Sequence, residues 1–330
     1  MPRHSLWFER LYEALRLPFL VGAILLGSTV FLALLAACYI AVGVWDYYLS
    51  QVLYFAAVPG IFVFLSQVVM RYITKQVGKL DQYSQSMSEG GSAVDLRLLL
   101  SMRGILLLWI FTAVVIQPLY ALGAIRSFTV TQILFTGYIP WLYLDLIIST
   151  FIWVWSYSLF SIYKMGKLPL RLKSFIEDRT LGLRPFGLFT ARFTALFLIP
   201  WSYLFLPQYL VGLVTPPLTV LFVSFFVLGF AFFLLPLRPL RTRLIAARGE
   251  ELKWLVPRYK SILQHLQNVE TGSADSALIG ELNAIDKIQR DIHQIRNWPF
   301  DTGIAIRFSA IILSVLTVIL ARILTIALHL

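Results

Sequence analysis

The sequence predicts an all-α integral membrane protein: a polytopic transmembrane helix bundle of about seven spans, N-terminus inside and C-terminus outside, with a cytoplasmic antiparallel helical hairpin between spans six and seven. Three observations carry this reading. Of 330 residues, 58% are hydrophobic and 15% aromatic, while only 14% are charged; soluble chains are far less apolar and carry many more charges. Seven stretches reach the roughly 20 mostly apolar residues that cross a bilayer core of about 30 Å. The 28 Lys and Arg, which exceed the 17 Asp and Glu by 11, fall almost entirely in alternate links between those stretches.

The stretches run from Leu17 to Val44, Val52 to Ile73, Gly104 to Gly123, Ile139 to Ile162, Phe193 to Leu213, Leu218 to Leu237 and Gly303 to Leu328. Arg3, Arg10 and Arg16 precede the first, whereas the link from Trp45 to Gln51 has neither Lys nor Arg. The links after spans two, four and six are basic, so 26 of the 28 cations lie on one side, all but Arg126 and Arg322. By the positive-inside rule that side is cytoplasmic, and the expected location is the inner membrane of a cell. Trp45, Tyr47 and Tyr48, and again Trp141 and Tyr143, stand at outer span ends, where amphipathic rings prefer the interface. Leu35-Ala36-Ala37-Cys38 resembles a lipoprotein cleavage box, but the apolar run continues to Val44, so Cys38 reads as a small residue within a span.

Three regions follow: a six-span membrane part (1–237), a hairpin (238–301) and a final span packing back into the bundle (302–330). In the hairpin Leu244, Leu252, Leu255, Tyr259, Ile262 and Leu266 recur mostly three and four apart. After a turn at Thr271 to Asp275 the pattern resumes with Leu278, Leu282, Ile285, Ile288, Ile292 and Ile295. Such spacing makes one apolar stripe per helix, and two stripes joined by a short polar link pack antiparallel, in the manner of a coiled coil. Pro257 is expected to kink the first arm. The chain returns to the membrane through Trp298, Pro299, Phe300 and Asp301, a joint through which movement of the hairpin would reach the last span.

Two shorter basic links differ in kind. Lys75 to Ser101, with its Ser- and Gly-containing middle from Ser84 to Ser92, reads as a flexible turn. Lys164 to Arg192 mixes cations with Leu168, Leu170, Leu172, Phe175 and Ile176, a composition suited to anionic headgroups at the membrane surface.

The run Glu177-Asp178-Arg179-Thr180-Leu181-Gly182-Leu183-Arg184-Pro185, combined with the charged hairpin and Trp298-Pro299-Phe300-Asp301, resembles a group of prokaryotic multi-span membrane proteins of uncharacterised activity. The resemblance covers the second half of the chain, from about Lys164. In layout alone the chain is similar to insect chemoreceptor channels, without their last-span motif, and that likeness implies an oligomeric channel.

Ionisable residues inside spans are costly and raise a functional question. Asp145 in span four and Arg322 in span seven each lie about six residues from the outer end, roughly 9 Å deep, and are expected to form an intramembrane ion pair. Pro59, Pro118, Pro200 and Pro207 interrupt spans, and Gln67 and Gln117 are polar residues within them. No HExxH, aspartate pair, Ser–His combination, Gly-rich phosphate loop or His pair occurs, so neither enzyme activity, metal nor cofactor is expected. Topology accounts for the basic excess without nucleic acid. The expected function is an oligomeric ion channel or channel-like transporter with an assembly and gating hairpin. The alternative is a non-conducting scaffold or sensor that holds a cytosolic protein partner through it. In either case the lipid bilayer, its anionic headgroups and further copies of the chain are the expected partners.

Overall fold

The computed structural model describes residues 5–42, 49–88, 99–116, 139–210, 224, 227–229, 231–268, 276–300, 303–306, 309–310, 313 and 317. Among them regular structure is helical, apart from one antiparallel bridge between Ser88 and Leu170. The helices are α1 (Trp7–Ala14), α2 (Phe19–Val42), α3 (Leu49–Met87), α4 (Met102–Phe111), α5 (Ile139–Lys167), α6 (Arg184–Leu210), α7 (Arg238–Asn268) and α8 (Ser276–His293). A π-helical turn, Thr112–Ile116, extends α4, and a 3-10 turn, Leu235–Leu237, leads into α7. Phe19–Ala36, Ala56–Met87 and Trp141–Lys167 are long and apolar enough to cross a membrane.

Helices α2 and α3 meet where a glycine sits on each: a Cβ on Gly27 would stand 2.8 Å from the carbonyl oxygen of Gly60, and one on Gly60 would stand 3.0 Å from that of Gly27. Small residues let backbones approach, which is how membrane helices gain dispersion energy without a hydrophobic drive between them. Beyond that crossing α3, α5 and α6 close on an aromatic cluster. Trp155 stacks on Phe197 with ring centroids 3.9 Å apart, Phe151 stacks on the same ring at 5.7 Å, and Phe62 meets Trp201 edge-on. All five side chains are buried.

The hydroxyls buried with them mostly turn back on their own helices. Thr150 donates to the Leu146 carbonyl, Ser158 to Val154, Ser161 to Tyr157, Thr190 to Phe186 and Thr194 to Thr190. A polar atom satisfied this way costs little in an apolar interior. Large apolar side chains on the outside, among them Leu20, Ile24, Leu32, Leu107, Ile110 and Val114, are exposed. In water such surface would drive association; against lipid it is at home.

Helix α3 departs from expectation. It passes the expected span end at Ile73 and continues to Met87, burying Val77, Leu80, Ser84 and Met87 three and four residues apart. Lys75 to Met87 is therefore one face of a helix rather than a turn, and residues 89–98 of that link lie outside the described set. At 1.5 Å per residue the extension reaches about 20 Å past Ile73. With the ends of α5 and α6, the 168–183 loop and the hairpin, it builds a second, basic layer.

Helices α7 and α8 form the hairpin. Arg258 pairs with Glu281 at 2.9 Å, and an Arg248 Nη2 lies 2.7 Å from Nδ1 of His293, so α7 and α8 run antiparallel. Leu244, Leu255, Ile262, Ile285, Ile292 and Ile295 are buried, with Leu252, Tyr259, Leu282 and Ile288 packed against them. Helix α7 runs unbroken through Pro257. Pro59 likewise lies within α3, and α6 spans Pro200 and Pro207. Helix α2 continues through Leu35 to Cys38.

Candidate functional site

The basic layer brings together two runs that stand more than a hundred residues apart in the sequence. The first, Glu177 to Pro185, folds as a closed turn around one carboxylate. Asp178 Oδ1 accepts from the Thr180 N–H at 2.9 Å and from its hydroxyl at 2.8 Å, while Oδ2 accepts from the Gly182 N–H at 3.0 Å. The Thr180 hydroxyl oxygen in turn accepts from the Arg184 N–H at 3.1 Å, satisfying a donor that the first turn of α6 would otherwise leave open.

To close this turn the backbone enters the left-handed region at Leu181 (φ 53°) and Gly182 (φ 84°). Glycine adopts it freely; a leucine there costs on the order of 1 kcal/mol. The cost at Leu181 is offset by burial of its side chain and by its carbonyl, which accepts from the Lys173 N–H at 3.1 Å. Burial raises the Asp178 carboxyl, but the hydrogen bonds from Thr180 and Gly182, together with the Arg184 charge, outweigh it and hold Asp178 below its ordinary range.

The turn and the chain that leads into it are fastened to their neighbours through main-chain atoms. The Tyr83 hydroxyl, on the α3 extension, donates to the Gly182 carbonyl at 2.9 Å. The Arg171 N–H donates to the Met87 carbonyl at 2.6 Å, and Arg243 of α7 donates to the Lys167 carbonyl at 2.8 Å.

The second run, Trp298-Pro299-Phe300, passes directly over the first turn of α6. A Cβ on Gly187 would stand 2.7 Å from the Pro299 carbonyl carbon and 2.9 Å from Phe300 Cβ, and would collide with the Pro299 oxygen. Pro299 is buried, Phe300 lies against Phe233 and stacks on Trp298, and the Arg241 guanidinium lies 4.7 Å from the centre of the Trp298 ring. The Arg296 N–H donates to the Arg179 carbonyl at 3.1 Å, which ties the two runs together. The foot of the hairpin and the head of α6 thus share one contact, whose tightness depends on the missing side chain of Gly187.

Of the expected joint, Trp298, Pro299 and Phe300 lie in this contact, and Asp301 lies outside the described residues. Asp145 stands half-buried in the second turn of α5; Arg322, its expected partner, also lies outside the described residues. Gln67 is fully buried, accepts from the Tyr12 hydroxyl and donates to the Val63 carbonyl at 3.1 Å.

Sequence reasoning passed over Gly187, Tyr83 and the whole of α1. Gly187 carries no signal apart from the neighbouring Pro185. Helix α1 was legible in Trp7-Phe8 followed four residues later by Tyr12, with Glu9 placed to accept the Leu6 N–H, as it does at 3.0 Å. No protein-family model, no curated protein sequence and no solved structure matches the chain.

Proposed function

We propose that this chain is a multi-span protein of a cell's inner membrane, N-terminus in and C-terminus out. In this reading it acts as a scaffold or sensor whose cytoplasmic hairpin holds a protein partner and is mechanically joined to the bundle. The observation that carries it is the crossing of Pro299 over Gly187, with Arg296 bonded to Arg179. Force on the hairpin passes there to α6, which reaches the aromatic cluster through Phe197 and Trp201. The basic side faces the cytoplasm, with its cations near anionic headgroups.

The second reading is an oligomeric ion channel or channel-like transporter, favoured by the half-buried Asp145 within a spanning helix. The interior between α3, α5 and α6 supports the first reading instead. Among the described residues Phe62, Phe151, Trp155, Phe197 and Trp201 fill it with buried aromatic side chains.

Ion flux from liposomes carrying the purified protein separates the two. With potassium, sodium or chloride gradients the scaffold reading expects leakage equal to protein-free liposomes, for the native chain and for Asp145→Asn alike. Flux above that level, altered by Asp145→Asn, would replace it with the channel reading.

A further inference from the structure

Helix α1 has three flanks, and each meets a different environment. The first is held by the bundle. Phe8 and Tyr12, four residues apart, are buried, and the Tyr12 ring lies over Gly22 of α2, where a Cβ would stand 2.5 Å from it. The Tyr12 hydroxyl reaches Gln67 of α3, and the Trp7 indole N–H donates to the Thr150 hydroxyl of α5 at 3.0 Å. A Schellman-type end, with the Leu17 N–H bonded to the Tyr12 carbonyl at 2.9 Å and Arg16 at φ 54°, turns the chain sharply into α2.

The second flank is polar. At 100° per residue Glu9, Arg10 and Glu13 share one side of the helix. Glu9 lies 3.5 Å from Arg71, whose guanidinium also covers the Phe19 ring at 4.1 Å.

The third flank begins at Trp7, which α5 holds, and past that first turn Leu11, Ala14 and Leu15 are apolar yet open: Leu11 is 41% exposed and Leu15 58%. It leads directly into the exposed apolar face of α2, beginning with Leu20, Val21, Ile24 and Leu25. The depth agrees. The α3–α6 register, fixed by Phe62 on Trp201 and Tyr83 on Phe186, puts Arg192 within about a turn of Arg71, so cations mark one level and α1 lies just on its apolar side.

We propose that α1 is an interfacial helix whose open flank sits in the hydrocarbon edge of the basic-side leaflet, its polar flank among the headgroups. Its occupant is lipid, and it fastens α2, α3 and α5 to that leaflet. This rests on the membrane reading of the bundle.

Depth measurement tests it on the full chain in liposomes. With Cys38→Ala as background, Leu11→Cys, Leu15→Cys, Arg10→Cys and Glu13→Cys each carry a nitroxide, and Leu25→Cys reports on α2. Ala14→Cys replaces a position on the same flank that fails to fold. Accessibility to oxygen relative to a water-soluble nickel chelate is expected to be several-fold higher at 11, 15 and 25 than at 10 and 13. Nickel access at all four α1 positions, with 25 still in lipid, would place α1 in water and overturn the proposal. Shielding of 11 and 15 from both reagents would mean that protein, a second copy included, covers the flank, and would overturn it equally. Nickel access at 25 would remove the membrane reading and the proposal together.

Discussion

The apolar bundle and the basic layer differ in what holds them together. In the bundle most buried hydroxyls bond to carbonyls one turn back in their own helix and few bonds cross between helices, the Trp109 indole to the Leu142 carbonyl among them, so packing is distinguished mainly by shape: Gly27 on Gly60, Trp155 on Phe197. In the basic layer the bonds cross between elements, from Tyr83 to Gly182, Arg171 to Met87, Arg243 to Lys167 and Arg296 to Arg179. A layer built from bonds between elements changes as a unit when one is lost, whereas a layer built from shape yields locally around a cavity. That difference is why the joint between hairpin and α6 is assigned the coupling role.

The largest effect is expected from Trp155→Ala, which removes the centre of the aromatic cluster. Large-to-small changes of a buried aromatic cost about 3–5 kcal/mol, and thermal unfolding in detergent should show it without loosening the hairpin. Next is Gly187→Ala. Its methyl group must displace the Pro299 segment, and overpacking of this kind costs about 3 kcal/mol. Limited proteolysis should then cut near 296–300, which the Trp155 variant leaves protected.

A smaller effect belongs to Asp178→Asn, which keeps the shape but weakens charged hydrogen bonds worth about 1.5–3 kcal/mol each. The sign with pH follows from the lowered carboxyl. The native chain holds this contribution above the unfolded carboxylate range, near pH 4, and loses it as pH falls through the lower folded value. Melting temperatures of the two proteins should therefore differ at neutral pH and converge in acid. The smallest effect is Gly249→Ala on α7, where a Cβ meets nothing within 4 Å. Helix propensity predicts a gain of about 0.5–1 kcal/mol. A loss there would mean that another surface covers this arm.

The hairpin was legible because its stripe repeats every three and four residues through Leu244, Leu255, Ile262, Ile285 and Ile292, and helix periodicity survives any tertiary context. The same period runs through Ile73, Val77, Leu80, Ser84 and Met87, but the serines and lysines between them lower the mean hydropathy and disguise a buried helix as a link. The joint was half legible. Trp298-Pro299-Phe300 announces a corner, yet its partner Gly187 is a lone glycine whose meaning is the absence of a side chain, and that emerges only when the facing segment is in place.

The most direct test of the joint is hydrogen exchange on the native chain and Gly187→Ala in the same liposomes. The expected result is that amides of Gly182, Arg184 and Arg296 lose protection together in the variant, while those of α5 between Phe151 and Leu159 stay as they are. Loss confined to Arg296, with the Asp178 turn as protected as before, would contradict it, because the hairpin would then end at the joint without reaching α6.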